Sequence, residues 1–161
     1  MTKTQSGQVT LDATDRAILA VVVRDAEITN KALAGRLGLA ESTCAHRLRQ
    51  LRERGVITGS HVDLDHAALG YPLQAVVSVR MGSHSEQLVE EFFDAITATS
   101  QVLQVFHLAG SSDFLVHVAV ADAAELRDIV LRHITVHRGV RQTETHLVFE
   151  QRTGPGTVSN R

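Results

Sequence analysis

One pattern occurs twice in the second half of the chain, and it constrains the fold more than any other feature. Residues 74–81 are rich in Ala and Val and read as a strand. Ser85 then caps a helix whose Leu88, Val89, Phe92, Phe93 and Ile96 share one apolar face. Residues 102–108 read as a strand, 109–113 as a turn and 114–120 as another strand. Asp122, with Glu125 three positions on, is a capping box opening a helix with Leu126, Ile129, Val130 and Ile134. Residues 142–150 supply the last strand. Two such units in the order β-α-β-β-α-β predict a four-stranded antiparallel sheet with both helices on one face. That is an α+β architecture of the ferredoxin-like kind.

The other face of the sheet bears on function. In strand 114–120 one parity gives Phe114, Val116, Val118 and Val120, and the other Leu115, His117 and Ala119. In the preceding strand Phe106 and Leu108 alternate with Val105, His107 and Ala109. The larger set should face the helices, with His107 and His117 together on the opposite side. That side stays mostly apolar, whereas a solvated face would alternate into charged residues. Burial against another subunit follows, so a homodimer or higher homo-oligomer is expected.

Charge separates this half from the rest. The 161 residues carry a formal net charge of −2. Residues 1–60 nevertheless hold nine Lys or Arg against six Asp or Glu, and residues 61–161 seven against twelve. A sign change between halves marks two modules with different partners, and the basic one suits a polyanion. The implied divisions are 1–60, a connecting segment 61–73, the sheet module 74–152, and a flexible tail 153–161 with Gly154, Pro155 and Gly156.

The basic module reads as three short helices. Asp12 is the N-cap of the first, which places Ile18, Leu19, Val22 and Val23 on one face and ends near Arg24 and Asp25. Thr29 or Asn30 caps the second, which carries Leu33 and Leu37 and stops at Gly38. The third runs from about Ser42 to Arg54, with Cys44, Leu48 and Leu51 as its buried stripe. Two helices joined by a glycine-containing turn form a helix-turn-helix. Helical periodicity then points Ser42, His46, Arg49, Gln50 and Glu53 outward, with Thr43 and Arg47 on the flank. A helix entering the major groove needs short polar groups at its start and Arg or Gln further along. Ser42, Thr43, His46, Arg47, Arg49 and Gln50 are therefore the candidate contacts to double-stranded DNA. A three-helix protein–protein module is the alternative, and the charge gathered on one face favours DNA.

Three stretches together resemble the opening of the Lrp/AsnC, or feast/famine, transcription regulators. They are residues 11–19 (Leu-Asp-Ala-Thr-Asp-Arg-Ala-Ile-Leu), 33–39 (Leu-Ala-Gly-Arg-Leu-Gly-Leu) and 44–57 (Cys-Ala-His-Arg-Leu-Arg-Gln-Leu-Arg-Glu-Arg-Gly-Val-Ile). The resemblance covers about residues 11–151. It implies an N-terminal winged helix-turn-helix, a C-terminal domain that dimerises through its sheet, and an amino-acid effector bound between subunits. The turn Gly110, Ser111, Ser112, Asp113 before Phe114 is similar to the family's Gly-x-x-Asp-aromatic turn near that effector. Arg141 and Gln142 resemble the other wall, where Arg141 would pair with a ligand carboxylate. An ordinary hairpin turn would use the same Gly, Ser and Asp residues. Ala40 departs from the family pattern, in which Ser caps the recognition helix; the loss is worth ~1 kcal/mol unless Ser42 takes over.

Other chemistries find little support. No apolar run nears the ~20 residues of a membrane helix, and the polar N-terminus lacks a secretory core, which points to the cytoplasm. The single cysteine, Cys44, excludes an internal disulfide framework and a multi-cysteine zinc site. His133 and His137 have ligand spacing without a third ligand nearby, so both read as surface residues and no metal is expected. Cys44 and His46 point apart on one helix, and no phosphate loop, Ser-His-Asp set or carboxylate pair argues for catalysis. No cofactor is expected beyond an amino-acid effector. The chain therefore reads as a sequence-specific DNA-binding transcriptional regulator responsive to an amino acid or related metabolite. The alternative is a stand-alone metabolite-binding or small enzymatic ferredoxin-like protein that never touches DNA. The arginine-rich helix face speaks against it. An architectural DNA-compacting protein is a third reading, set apart by weak sequence preference.

Overall fold

The computed structural model describes residues 9–82, 85–154 and 156–158. They fall into two compact units, one running up to Val62 and including the segment from Arg152, the other spanning Asp63–Gln151.

In the first unit three helices, α1 (Ala13–Val22), α2 (Asn30–Leu37) and α3 (Glu41–Glu53), enclose a small core. A reciprocal cap starts α1: Asp12 accepts from the Asp15 N–H at 2.7 Å, and Asp15 accepts from the Asp12 N–H at 3.4 Å. Thr29 caps α2 through the Ala32 N–H. Gly38 ends it at φ 66°, a left-handed conformation that costs glycine nothing. Ala40 at the N-cap of α3 makes no side-chain bond, and Ser42 lies inside the helix rather than replacing it. The Glu41 carboxylate is left to complement the positive end of the helix dipole. Ile18, Leu19, Leu33, Ala34, Cys44, Leu48 and Leu51 form the core, and Val56 and Ile57 fold back onto it through bonds to the Leu51 carbonyl. Val23 does not join the apolar face: five residues beyond Ile18 is roughly 140° around a helix, and Val23 is 61% exposed. Val158, in the stretch read as a tail, packs against this core, whereas Pro155 and residues 159–161 lie outside the described residues.

The second unit is the tandem β-α-β arrangement. Its elements are β1 (Leu73–Met81), α4 (Glu86–Thr97), β2 (Val102–His107), β3 (Phe114–Val120), α5 (Ala123–Ile129) with a π-helical turn at Val130–Ile134, and β4 (Val140–Leu147). The sheet order is β2-β3-β1-β4 and every pairing is antiparallel. Phe92 and Ile96 of α4, with Leu126, Ile129 and Ile134, close over Val77, Val79, Phe114, Val116, Val118 and Val120. Ser85 stands at the N-cap of α4 without a side-chain cap bond. Asp122 caps α5 as expected, but Glu125 reaches past it to the Ala121 N–H and to Gln101. The π-turn was not legible from spacing alone. Its Thr135 N–H bond to the Val130 carbonyl widens the helix, so that Ile129 and Ile134, five residues apart, both reach the core.

Facing is as expected in β3 and reversed in β2. Register pairs His107 with Phe114 and Phe106 with Leu115. Partners in an antiparallel pair share a face, so Val105 and His107 look toward the helices, and the His107 ring stacks on Phe114 at 4.6 Å. Phe106 and Leu108 stand on the open face with Leu115 and are 44% and 38% exposed. His107 and His117 therefore lie on opposite faces, a correction to the sequence-based expectation.

Candidate functional site

Along α3 exposure alternates as the helical period requires. Cys44, Leu48 and Leu51 are buried, while Ser42, Thr43, His46, Arg49 and Gln50 are exposed. Ser42, Thr43, His46 and Gln50 line one concave surface together with Thr10, Asp12, Asp15, Arg47 and Arg54. Five of the six proposed DNA contacts thus lie on one outward stripe.

Arg47 is the sixth, and its guanidinium is already engaged. It donates to Asp12 Oδ2 at 2.5 Å and to Asp15 Oδ1 at 2.9 Å. Arg54 approaches Asp15 Oδ2 at 3.8 Å and donates to the Thr10 carbonyl. The Asp15 backbone N–H and then Arg47 hold the Asp12 carboxyl below its ordinary pKa, and the bond to Asp12 raises that of Arg47. The network ties the start of α1 to the middle of α3. A charge count over residues 1–60 misses this, but Asp12 and Asp15, one turn apart at a helix start, were the available signal. Arg49 is different: its Nη2 lies 3.1 Å from His46 Nδ1 and meets no carboxylate among the described residues.

A second concavity lies in the sheet unit beside the β2–β3 turn. It is a cleft of about 170 Å³ lined by Ser78, Arg80, Ser111, Ser112, Gln142, Thr143 and Glu144. Ser111, Ser112 and Gln142 of the proposed effector site meet here. Gly110 belongs to the turn, at φ 155°, without lining the cleft. Asp113 is turned inward: its Oδ2 accepts from the Met81 N–H at 2.6 Å and its own N–H donates to the Val79 carbonyl. The carboxylate that looked like a ligand partner therefore fastens the turn to the end of β1. Arg141 sits at the β1–β4 bulge, its Cβ 3.3 Å from where a side chain on Gly82 would begin, and it does not line the cleft. Arg80 does. The sequence held a signal for it, because Gln74, Ser78 and Arg80 interrupt an apolar strand at period two.

Of the remaining candidates, His133 is exposed, but His137 is partly buried, its ring edge-on to Phe92 at 5.3 Å. Among the described residues no group of three or more His, Cys, Asp or Glu could hold a metal ion. Nor is any helix among them long and apolar enough to cross a membrane.

Comparison with known proteins covers both units. Residues 11–58 match the winged helix-turn-helix DNA-binding family and residues 74–155 the Lrp/AsnC ligand-binding domain family. The transcriptional regulator AldR of Mycobacterium tuberculosis is 40% identical over 148 residues, spanning 92% of this chain and 83% of AldR. The leucine-responsive regulatory protein of Rhizobium meliloti is 33% identical over 89% of this chain and 92% of its own length. A transcriptional regulator from Neisseria meningitidis, solved as a complex with L-Met, superposes with a TM-score of 0.84 at 28% identity, covering 90% of this chain and 94% of that one.

Proposed function

This chain belongs to the Lrp/AsnC family of DNA-binding transcriptional regulators, and on that premise we propose an effector-responsive homodimer that reads DNA with the exposed stripe of α3. The observation that carries this reading is the division of α3, which buries Cys44, Leu48 and Leu51 and presents Ser42, Thr43, His46, Arg49 and Gln50. Ser42 and Thr43 stand in the first turn, where the helix N-terminus favours a phosphate oxygen. Arg49 and Gln50 stand further along and have the bidentate groups that recognise guanine and adenine. Arg47 contributes by holding α3 against α1. A second copy covers the open sheet face around Phe106 and Leu115, and two-fold symmetry spaces the paired recognition helices by ~34 Å or a multiple of it.

The sheet unit senses an amino acid or related metabolite at the cleft near Ser111, Ser112 and Gln142. A ligand at a subunit boundary changes assembly only through its differential affinity for the alternatives; a tenfold shift requires ~1.4 kcal/mol. The protein acts by binding rather than catalysis, without a cofactor, and in the cytoplasm, where its DNA lies. Selection from random-sequence duplexes tests the reading. The wild-type chain should enrich a two-fold symmetric site, and Arg49→Ala with Gln50→Ala should lose that enrichment while remaining folded. Tight binding with no enriched sequence would make it an architectural DNA-compacting protein instead.

A further inference from the structure

We infer that the cleft beside the β2–β3 turn selects an amino acid with a short polar side chain, with Arg80 taking its carboxylate and Glu144 its ammonium. This rests on the effector reading above and adds the ligand class and the residues that choose it. Every residue on the wall is polar: hydroxyls from Ser78, Ser111, Ser112 and Thr143, the Gln142 amide, and the two opposite charges. Register pairs Ser78 with Glu144 and Arg80 with Gln142, so Arg80 and Glu144 are diagonal neighbours on adjacent strands. Two long side chains on such a diagonal can converge on groups carried by one carbon, as the carboxylate and ammonium of an α-amino acid are.

In the single chain Arg80 is exposed and has no hydrogen-bond or ion-pair partner among the described residues, and the Glu144 carboxylate has only His146, at 3.9 Å. Both charges are thus available in a way that those of Asp113 and Arg47 are not. Size limits the rest of the ligand. At about 170 Å³ the cleft falls below the ~300 Å³ at which ligand pockets usually begin, which favours a short side chain over a long or aromatic one. The Ser78 hydroxyl already donates to the Glu144 carbonyl at 3.2 Å, but an apolar side chain would leave the Ser111, Ser112 and Thr143 hydroxyls and the Gln142 amide facing no partner, and each such loss is unfavourable.

Calorimetric titration of the full chain with L-serine, L-threonine, L-asparagine, L-leucine and L-methionine tests the class. The polar ligands should bind more tightly than leucine and methionine. Arg80→Ala should weaken serine binding by about tenfold or more, as loss of a charge-assisted contact does, and Arg80→Lys should restore part of it. Arg141→Ala should bind serine like the wild type. Glycerate, with a hydroxyl in place of the ammonium, should bind weakly, and Glu144→Gln should weaken serine but not glycerate. Melting curves establish that each variant is folded. Tighter binding of leucine or methionine, or dependence on Arg141 instead of Arg80, overturns the inference and leaves the effector reading standing. If no amino acid in the panel binds the wild-type chain, both fail.

Discussion

The two units use charge and apolar surface in opposite ways. In the helical unit Asp12 and Asp15 neutralise Arg47, Asp15 also approaches Arg54, and the core closes over Ile18, Leu33, Cys44 and Leu51. In the sheet unit Arg80 meets no carboxylate among the described residues, and Phe106 and Leu108 are open on the face opposite the helices. The basic half therefore spends part of its charge on its own structure, while the acidic half presents an arginine to whatever enters its cleft. Net charge per half located the DNA-binding module, but it does not say which arginines are already held in ion pairs of the free chain. Availability depends on geometry within about 4 Å, which a sum over residues does not contain.

A charge on the open face should break this contrast most strongly. Leu115→Asp places a carboxylate where a second copy is expected to pack. An unpaired buried charge costs a few kcal/mol, so association should weaken by about a hundredfold or more. Sedimentation velocity at micromolar concentration should show the wild type as a dimer or larger and this variant as a monomer. Val23→Asp, at an exposed apolar position of the helical unit, should leave assembly unchanged. A wild type that is monomeric, or a Leu115→Asp variant that still assembles, would place the interface elsewhere.

The next largest effect separates two arginines on α3. Arg49→Ala should weaken DNA binding and make the dependence of log affinity on log salt shallower by ~0.9 if one phosphate contact is lost. Arg47→Ala should also weaken binding, but through the helix pairing: the melting temperature should fall and the salt slope should stay the same. Asp15→Ala should mimic Arg47→Ala, since its buried carboxylate anchors both arginines; hydrogen bonds to charged groups are worth about 1.5–3 kcal/mol. A shallower salt slope for Arg47→Ala would mean that Arg47 leaves Asp12 and Asp15 for a phosphate on binding.

What the sequence disclosed follows from how local each determinant is. The caps at Asp12, Thr29 and Asp122 and the buried stripes of α3 and β3 depend on residues a few positions apart, so they were legible. The facing of β2 was not, because Phe106 is larger than Val105 and only the pairing of His107 with Phe114 fixes which side each takes. The π-turn after α5 hid for a related reason: its fifth-residue spacing looks like an imperfect α-helix until the core shows where Ile134 must go. At the proposed DNA face the residue types and their stripe were readable, but the Arg47 network joins positions 35 and 32 residues apart. The proposed effector cleft was half legible. Its turn and Gln142 carried a motif, whereas Arg80 enters from β1 across a strand pairing, and Asp113 is drawn inward by the Met81 N–H.

The smallest predicted effect is a pH dependence on the open face. His117 stands there beside Val76, which is also paired with His146 on β4, and its Nε2 lies 3.0 Å from Gln74 Oε1. Burial, and then the charge of His66, pushes its pKa below the ordinary 6.5. The unfolded chain therefore takes up this proton at a higher pH than the folded one. Stability from this group is complete above the unfolded value, falls as pH drops below it, and stops falling once pH has passed the folded value. His117→Gln keeps a hydrogen-bonding side chain and removes the titration, so its melting temperature should fall less than that of the wild type as pH drops from about 7.5 to 5. A second copy over this face would bury His117 further and enlarge the difference. The wild-type assembly should then show a steeper pH dependence than the Leu115→Asp monomer. Parallel curves for the assembly and the monomer would mean that His117 meets the same solvent in both, and that the open face does not close around it.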